Sequence, residues 1–453
     1  MQHELASRDI EGARVTLMGL GRFGGGVGAL RWLVDRGARV TVTDLRTEDQ
    51  LRGAWGSVDP SRVTRTLGRH EESDFASADV VVVNPAVPKP WDNPFVRIAT
   101  EGGAVVTTEI RMAIERLPDG VTTLGVTGTT GKSTTASMLH RALERTWTTG
   151  RTHLAGNIGG SLFDQLETIA PGDAIVLELS SAQLWWLSRA PAWTPDLALV
   201  TNLVANHLDW HGTMEHYESS KRAIVGTRLC CHPGAIERWG RTARVRTAPP
   251  MEHPDDMALP GAHNALNAAL AREAALWALE LGGAEIEAKR EGIDHAVRTF
   301  EGLDHRLRTI GYARGVRLVN DSKCSTPEGT ALAIGAFDAS RVHLICGGAD
   351  KGVDLGPMLD DAARCTSVLC IGATGPTIAQ GVRERGGEAV ECGDLARAMD
   401  VLAARAREGD VALLSPGCAS WDQFANYIER ASAFRSEAMR VLGAIEDGPN
   451  RSR

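Results

Sequence analysis

The sequence predicts an α/β protein of three doubly wound, Rossmann-like domains, the central one a P-loop ATPase-type sheet. Apolar, β-branched runs of four to eight residues alternate with helix-compatible segments along most of the chain. Two of these runs end in glycine-rich turns that open helices, at 19–24 and at 128–134. The length, 453 residues, suits roughly three domains. Boundaries are expected at 1–108, 109–302 and 303–453.

In the first domain, residues 13–20 (ARVTLMGL) read as a buried strand, followed by Gly19, Gly21 and Gly24 in a G-x-G-x-x-G turn and a helix over 27–36. A second strand, 38–43, ends at Asp44, twenty residues after Gly24. By general rule this is a dinucleotide fingerprint, with pyrophosphate at the helix N-terminus and the acid on a ribose hydroxyl. Any nucleotide diphosphate could use the same turn. Close helix–strand packing would also account for the Gly24-Gly25-Gly26 run. A later strand, 79–83 (DVVVV), ends in a Pro/Asn loop at Asn84, at the sheet edge where ligands of such folds collect.

The central domain opens on TTLGVTGTTGKSTT, residues 122–135. A strand breaks at Gly128; Thr129, Thr130 and Gly131 lead into Lys132, Ser133 and Thr134, and a helix follows. The glycines let backbone N–H groups close on phosphate oxygens, Lys132 adds a point charge, and Ser133 or Thr134 offers a hydroxyl to Mg²⁺. ATP is the expected ligand. The glycine spacing is shorter than the general Walker pattern, with Val126 where the first glycine would stand. Further on, the strand 174–179 (AIVLEL) carries a single acid, Glu178, costly to bury unless paired or bound to metal. The strand 197–202 ends near His207, Asp209 and His211. Three strand ends meeting at one sheet edge favour a Mg-nucleotide site, although His is an uncommon ligand for so hard a cation. Lys221 lies in a helical stretch and, on composition alone, reads as a solvated lysine. Residues 261–267 (GAHNALN) open an Ala-rich helix whose asparagines could cap it or touch a ligand. Trp185 and Trp186 lack interleaved basic residues and read as core or inter-domain packing.

The last domain starts with a hairpin around Ala313-Arg314 whose second strand runs into Asp321-Ser322-Lys323-Cys324-Ser325. Strands at 342–346, 367–371 and 411–414 follow, each ending in a small or charged loop. Lys351 and Asp321 are expected to face the cleft, with a surface lysine the plainer reading of Lys351.

Net charge is −8, which gives no electrostatic support for nucleic-acid or anionic-membrane binding. The start, MQHELASRDIEG, shows no signal-peptide pattern, and no run of about 18 uncharged apolar residues is present, so no membrane span is expected. The eight cysteines form no Cys-x-x-Cys pair, the usage of reduced thiols in a cytoplasmic protein.

With these residues in place the chain resembles the Mur ligases, most closely the type that joins D-glutamate to UDP-N-acetylmuramoyl-L-alanine. The resemblance rests on 128–134, on Glu178-Leu179-Ser180-Ser181 with Gln183, on Asn320-Asp321-Ser322-Lys323, and on Ser415-Pro416 with Ala419-Ser420, Asp422 and Phe424. It covers nearly the whole chain. The family's phosphate loop has the shorter glycine spacing seen here, with Asn where this chain has Thr130. The resemblance redirects the first glycine turn, Gly19 and Gly21 with Asp44, from NAD to UDP. It implies that Lys132, Ser133 and Thr134 hold ATP phosphates and Mg²⁺, and that Glu178 and His207 bind the metal. Lys221 matches a lysine carbamylated in the family, and Asn264, Arg306 and Asp321 match nucleotide-contacting positions. Asn84, Asn157 and Ser180 match positions near the UDP-muramoyl substrate; Lys323, Ser325, Lys351, Ser420 and Tyr427 match the amino-acid pocket. Departures are Ala182 and Tyr427 where Phe is usual and Gly417 where Ala is usual.

The chemistry implied is phosphorylation of a carboxylate by ATP, attack of the incoming amine on the acyl phosphate, and release of phosphate. Domain closure over ATP and a monomeric enzyme are expected. Other readings stay open: a related amide ligase using L-glutamate or another amino acid, a folylpolyglutamate synthase-like enzyme, an NAD-dependent oxidoreductase, or a nucleotide-binding regulator.

Overall fold

The computed structural model describes residues 10–21, 25–51, 54–55, 58–239, 243–253, 256–350 and 352–446. Gly24 and Lys351, both singled out above, lie outside the described residues.

The first sheet comprises β1 (Arg14–Met18), β2 (Arg39–Asp44), β3 (Thr64–Leu67), β4 (Val80–Val83) and β5 (Val105–Thr107). Its strands are all parallel, in the order β3-β2-β1-β4-β5. The order reverses between β1 and β4, which opens a crevice at their carboxyl ends. β4 is four valines, each 0–1% exposed. Burial on both faces is why a parallel strand reads as an unbroken apolar run.

The second sheet comprises β6 (Thr122–Thr127), β7 (Thr152–Gly156), β8 (Ala174–Glu178), β9 (Leu197–Val200), β10 (Arg228–Cys231) and β11 (Arg244–Thr247). It is also parallel, in the order β11-β10-β9-β6-β8-β7. β6 therefore lies between β8 and β9, and the loops after these three strands leave the same edge. The third sheet comprises β12 (Arg308–Ala313), β13 (Val316–Asn320), β14 (Val342–Gly347), β15 (Ser367–Ile371), β16 (Ala389–Gly393) and β17 (Val411–Leu414). Its order is β12-β13-β17-β14-β15-β16, with β12 antiparallel to β13 and the rest parallel. The β12–β13 turn places Arg314 and Gly315 at φ +51° and +74°, the pair of left-handed residues a tight hairpin needs.

Two compact units result, Met1–Pro250 with Leu266–Val297, and Met251–Ala265 with Arg298–Arg453. In the first unit one apolar cluster joins Leu17 and Leu30 of the first sheet's layers to Ile175, Leu177 and Ala198 of the second sheet. A second cluster packs Trp185, Trp186 and Trp210 against Met18, Phe75 and Val81, and the Trp210 indole N–H donates to the Pro85 carbonyl at 3.1 Å. The tryptophans thus serve packing, as expected. In the second unit alternate residues of each strand enter opposite cores: Leu344 and Val368 on one face, Ile345 and Leu369 on the other. Among the described residues no helix is long and apolar enough to cross a membrane. The cysteines are free thiols.

Candidate active site

The loop after β6 is shaped by two glycines that no other residue could replace without movement. Gly128 sits at φ +147°, and a Cβ there would lie 1.8 Å from Thr201 Oγ1. Gly131 sits at φ +80° as N-cap of the helix Lys132–Thr146, and a Cβ there would lie 2.4 Å from Asn267 Oδ1. The end of β9 clamps the loop. Thr201 Oγ1 donates to the Thr130 carbonyl at 2.6 Å, Asn202 Oδ1 accepts from Thr130 N–H at 3.0 Å, and Asn202 Nδ2 donates to Thr130 Oγ1 at 2.8 Å. Thr130, the departure from the family's usual Asn, is therefore held through its own hydroxyl. Tyr217 OH lies 2.9 Å from Thr129 Oγ1, which donates on to the Val204 carbonyl at 3.0 Å. Lys132 Nζ donates to the Thr129 carbonyl at 2.9 Å, and Ser133 is buried in the first helical turn while Thr134 is half-buried.

Lys221, on the helix Met214–Arg222, is not the solvated lysine composition suggests: it is 1% exposed. Its Nζ donates to the Gly128 carbonyl at 2.6 Å and lies 4.8 Å from the Tyr217 ring centroid. Burial, with the positive charge of Lys132 nearby, lowers its pKa to about 6, against the opposing pull of Glu178. Its burial therefore favours the neutral amine. Glu178 ends β8, is 1% exposed and accepts from Asn157 Nδ2 at 3.4 Å through Oε1, while its buried Oε2 has no hydrogen-bond partner. An orphaned carboxylate oxygen is costly, and a cation satisfies it. His207, at φ +52°, precedes the short helix Leu208–His211. Partial burial first, and then the charge of Lys132, lower its pKa, which favours the lone-pair-bearing imidazole. Lys132, Glu178, His207 and Lys221 thus converge on the loop.

Among the described residues no three His, Cys, Asp or Glu side chains group as a metal site. Glu178 and His207 could offer two ligands; a lysine amine is no ligand for a hard cation, but a carbamate on it would offer carboxylate-type oxygens. The donor set fits Mg²⁺ on that condition. Ser180 caps the helix Ser181–Leu187 in a capping box with Gln183. Beside it, Ser181 Oγ meets His211 Nε2 at 2.8 Å, and His211 Nδ1 meets His216 Nδ1 at 2.9 Å.

At the first sheet's crevice Gly19 and Gly21 take φ +84° and +77°. Asn84 Nδ2 donates to the Gly19 carbonyl at 3.2 Å, and a Cβ on Gly21 would lie 2.9 Å from that nitrogen. Asp44 accepts from Leu20 N–H at 3.0 Å and pairs with Arg46 at 2.7 Å. Both its oxygens are engaged by the chain, unlike an acid offered to a ribose hydroxyl.

In the second unit the loops after β13, β14, β15 and β17 leave one edge of the third sheet. Asp321 is buried and accepts from Leu307 N–H at 3.0 Å and from Ser415 Oγ at 2.7 Å. Burial raises its pKa to about 6, countered by those donors and by the charge of Arg306. Lys323 Nζ stands 5.4 Å from the Tyr427 ring centroid, and His305 packs edge-on to the same ring at 5.5 Å. Ser420 is buried, its carbonyl accepting from Gln423 and Phe424 N–H, whereas Ser325 is exposed. Asn264 donates to the Pro260 carbonyl at 2.6 Å.

Sequence reasoning missed the groups that hold these side chains rather than display them. Arg430, 1% exposed, donates to the Ser322 and Cys418 carbonyls and so ties two loops together. Tyr217, Thr201, Asn202 and His305 act in the same way, while Asn267, marked by the sequence at 261–267, stands against Gly131. The only signal for them was proximity to a motif.

The Mur ligase middle domain model matches residues 126–229, and the Mur ligase glutamate ligase domain model matches 305–418. The UDP-N-acetylmuramoylalanine–D-glutamate ligase of Anaeromyxobacter dehalogenans is 36% identical over 95% of this chain and 98% of its own. The protein of that name from Roseiflexus is 36% identical over 94% and 98%. Among solved structures, the UDP-N-acetylmuramate–alanine ligase of Thermotoga maritima superposes with a TM-score of 0.61 at 16% identity, covering 94% of this chain and 99% of its own. The MurF ligase of the same organism, solved in complex with ADP, gives 0.56 at 14% identity over 97% and 99%. These likenesses bear out the three-sheet fold, and the oxidoreductase reading of the first glycine turn finds no support. The chain belongs to the Mur ligase family.

Proposed function

We propose that this protein is an ATP-dependent ligase that joins D-glutamate to UDP-N-acetylmuramoyl-L-alanine through an acyl phosphate, in peptidoglycan precursor synthesis. The observation that carries it is Lys221: a buried amine donating to the Gly128 carbonyl, within electrostatic reach of Glu178, a carboxylate with one unpartnered oxygen, and with its pKa lowered by burial. A neutral amine adds CO₂, and the resulting carbamate gives a lysine an anion's role. The names of the relatives supply the substrates.

In this reading the first sheet's turn, with Gly19, Gly21, Asp44 and Asn84, receives the UDP portion, and Asn157 and Ser180 its muramoyl end. The phosphate loop holds ATP, with Asn264, Arg306 and Asp321 as further nucleotide contacts. Lys323, Ser325, Lys351, Ser420 and Tyr427 take the amino acid. The domain limits stay at 1–108, 109–302 and 303–453. Ser133, Glu178, His207 and carbamylated Lys221 would hold Mg²⁺, which supplies charge neutralisation between triphosphate and carboxylate. Two anions must meet for phosphoryl transfer, so positioning and positive charge do most of the work. Lys132 contributes its charge on the phosphates. The substrate carboxylate takes the γ-phosphoryl group; the glutamate amine then adds to the carbonyl, and phosphate leaves as the amide forms. Monomeric action in the cytoplasm, where ATP and free thiols coexist, completes the reading.

The test is phosphate release from ATP by the purified chain with Mg²⁺. Release that requires both UDP-N-acetylmuramoyl-L-alanine and D-glutamate supports the proposal. Equal release with L-glutamate would change the amino acid assigned. ATP binding with no release under any combination would make the protein a nucleotide-binding regulator.

A further inference from the structure

Away from the glycine loops, the first unit holds a cavity of about 580 Å³ against β5. Three indoles line it. Trp91, 43% exposed, lies on its rim, 5.3 Å centroid to centroid from Trp185, which meets Trp186 edge-on at 5.0 Å. The walls also carry Arg97, Arg189, Glu101 and the ion pair of Arg111 with Glu115. That pair cancels, leaving two guanidinium groups against one carboxylate. Arg189 lies over the Trp185 ring at 4.0 Å, and among the described residues neither it nor Arg97 has an acidic partner. β5 is the last strand of its sheet, so one row of its backbone groups has no neighbouring strand.

We propose that this cavity is a second small-molecule site, for a planar aromatic monoanion whose ring packs on Trp91 and Trp185 and whose carboxylate meets Arg97 and Arg189. Indoles reward a flat ring with offset or edge contacts, and guanidiniums at the cavity mouth reward a carboxylate in forked geometry. A carboxylate complements the two guanidiniums, a neutral ring forgoes that pairing, and a cation would be repelled by them.

The cavity also has a mechanical link to the candidate active site. Its floor is the C-terminal end of the helix Ser181–Leu187, whose first residues adjoin Ser180 and Glu178. Arg111 fastens that end, donating to the carbonyls of Trp186, Arg189 and Pro191 at 3.1, 3.1 and 2.7 Å. An occupant beside Arg111 therefore acts on a single rigid helix of about two turns that ends at the substrate side. This coupling rests on the proposed ligase reading; the binding does not.

The experiment is calorimetric titration of the full chain with 2-naphthoate, with 2-naphthamide as the neutral control. Saturable binding of the carboxylate is expected, at least tenfold tighter than of the amide, unchanged by saturating ATP, and weakened at least tenfold in Arg97→Ala and in Trp91→Ala. Both residues are surface-exposed, and an unchanged circular dichroism spectrum is required of each variant before its affinity is read. Absence of saturable binding, equal affinity for the amide, indifference to both substitutions, or displacement by ATP would each overturn the site. With binding in hand, phosphate release is measured at fixed naphthoate. A shift of threefold or more in KM for the UDP-linked acceptor supports the coupling, and unchanged KM and kcat refute it.

Discussion

A lysine amine must lose its proton before it can take up CO₂, and the burial of Lys221 favours that loss. Its folded pKa, about 6, lies far below the ordinary 10.5. The unmodified amine is therefore penalised in full below pH 6, and the penalty fades as pH rises from 6 toward 10.5. Carbamylation and turnover are expected to fall together as pH drops through 6. Lys221→Ala should lose several powers of ten in rate and regain part of it with added formate or acetate; full activity without rescue would leave Lys221 a packing residue. Lys132→Ala should lose activity comparably with its circular dichroism unchanged. Glu109 offers a test of stability instead. It is buried, accepts from Ser161 Oγ at 2.6 Å, and is pushed from 4.5 to about 7, by burial first and the nearby Asp164 charge second. The fold keeps its full stability below pH 4.5 and loses it as pH rises through 7, by about 3 kcal/mol at about 1.4 kcal/mol per pKa unit. Glu109→Gln should gain on the native protein in thermal melts between pH 5 and pH 8, and parallel profiles would reject this. Lys132, Glu178 and Lys221 were legible because family motifs mark them. Tyr217 was not, because its partner Thr129 is 88 residues away and nothing local records the contact.

Elements were legible where they are buried on both sides. β4, β6, β8, β15 and β17 are unbroken apolar or β-branched runs, and their expected limits match to within two residues. The strands that went unseen, β3 (TRTL), β5, β7, β10, β11 (RVRT) and β16, are mostly at or next to sheet edges. An edge strand is covered on fewer sides, and arginines in β3 and β11 keep those edges from pairing with other chains, so such sequences carry little apolar run to find. The short helix Leu208–His211 has no sequence signal because four residues hold no helical period. The phosphate loop, in contrast, is specified residue by residue. Gly131→Ala meets both a left-handed φ of +80° and Asn267 Oδ1 at 2.4 Å. It should weaken ATP binding more than tenfold in equilibrium dialysis, with little change in helix content. Native affinity would mean that the loop's geometry is not the phosphate cradle.

At the scale of the molecule, counting sheets gives three and counting compact units gives two, because the first two sheets share a core while the third builds its own. Sequence pattern shows which residues are apolar but not which sheet they pack against; Trp185 beside Met18 has no local signature. Separate cores predict separate cooperative units. Calorimetric unfolding of the full chain should therefore resolve two transitions, and the contrast between them can be forced by one substitution. Leu344, on β14, is 0% exposed and packs with Cys346, Met358 and Val368. Leu344→Ala removes three carbons from that core, which costs about 2–5 kcal/mol depending on how far the site collapses. One transition should move down by several degrees while the other, belonging to the unit that holds the phosphate loop, stays in place and keeps its response to Mg-ATP. If both transitions shift together, or if only one exists in the native protein, the two units unfold as one and the independence inferred from their cores is wrong.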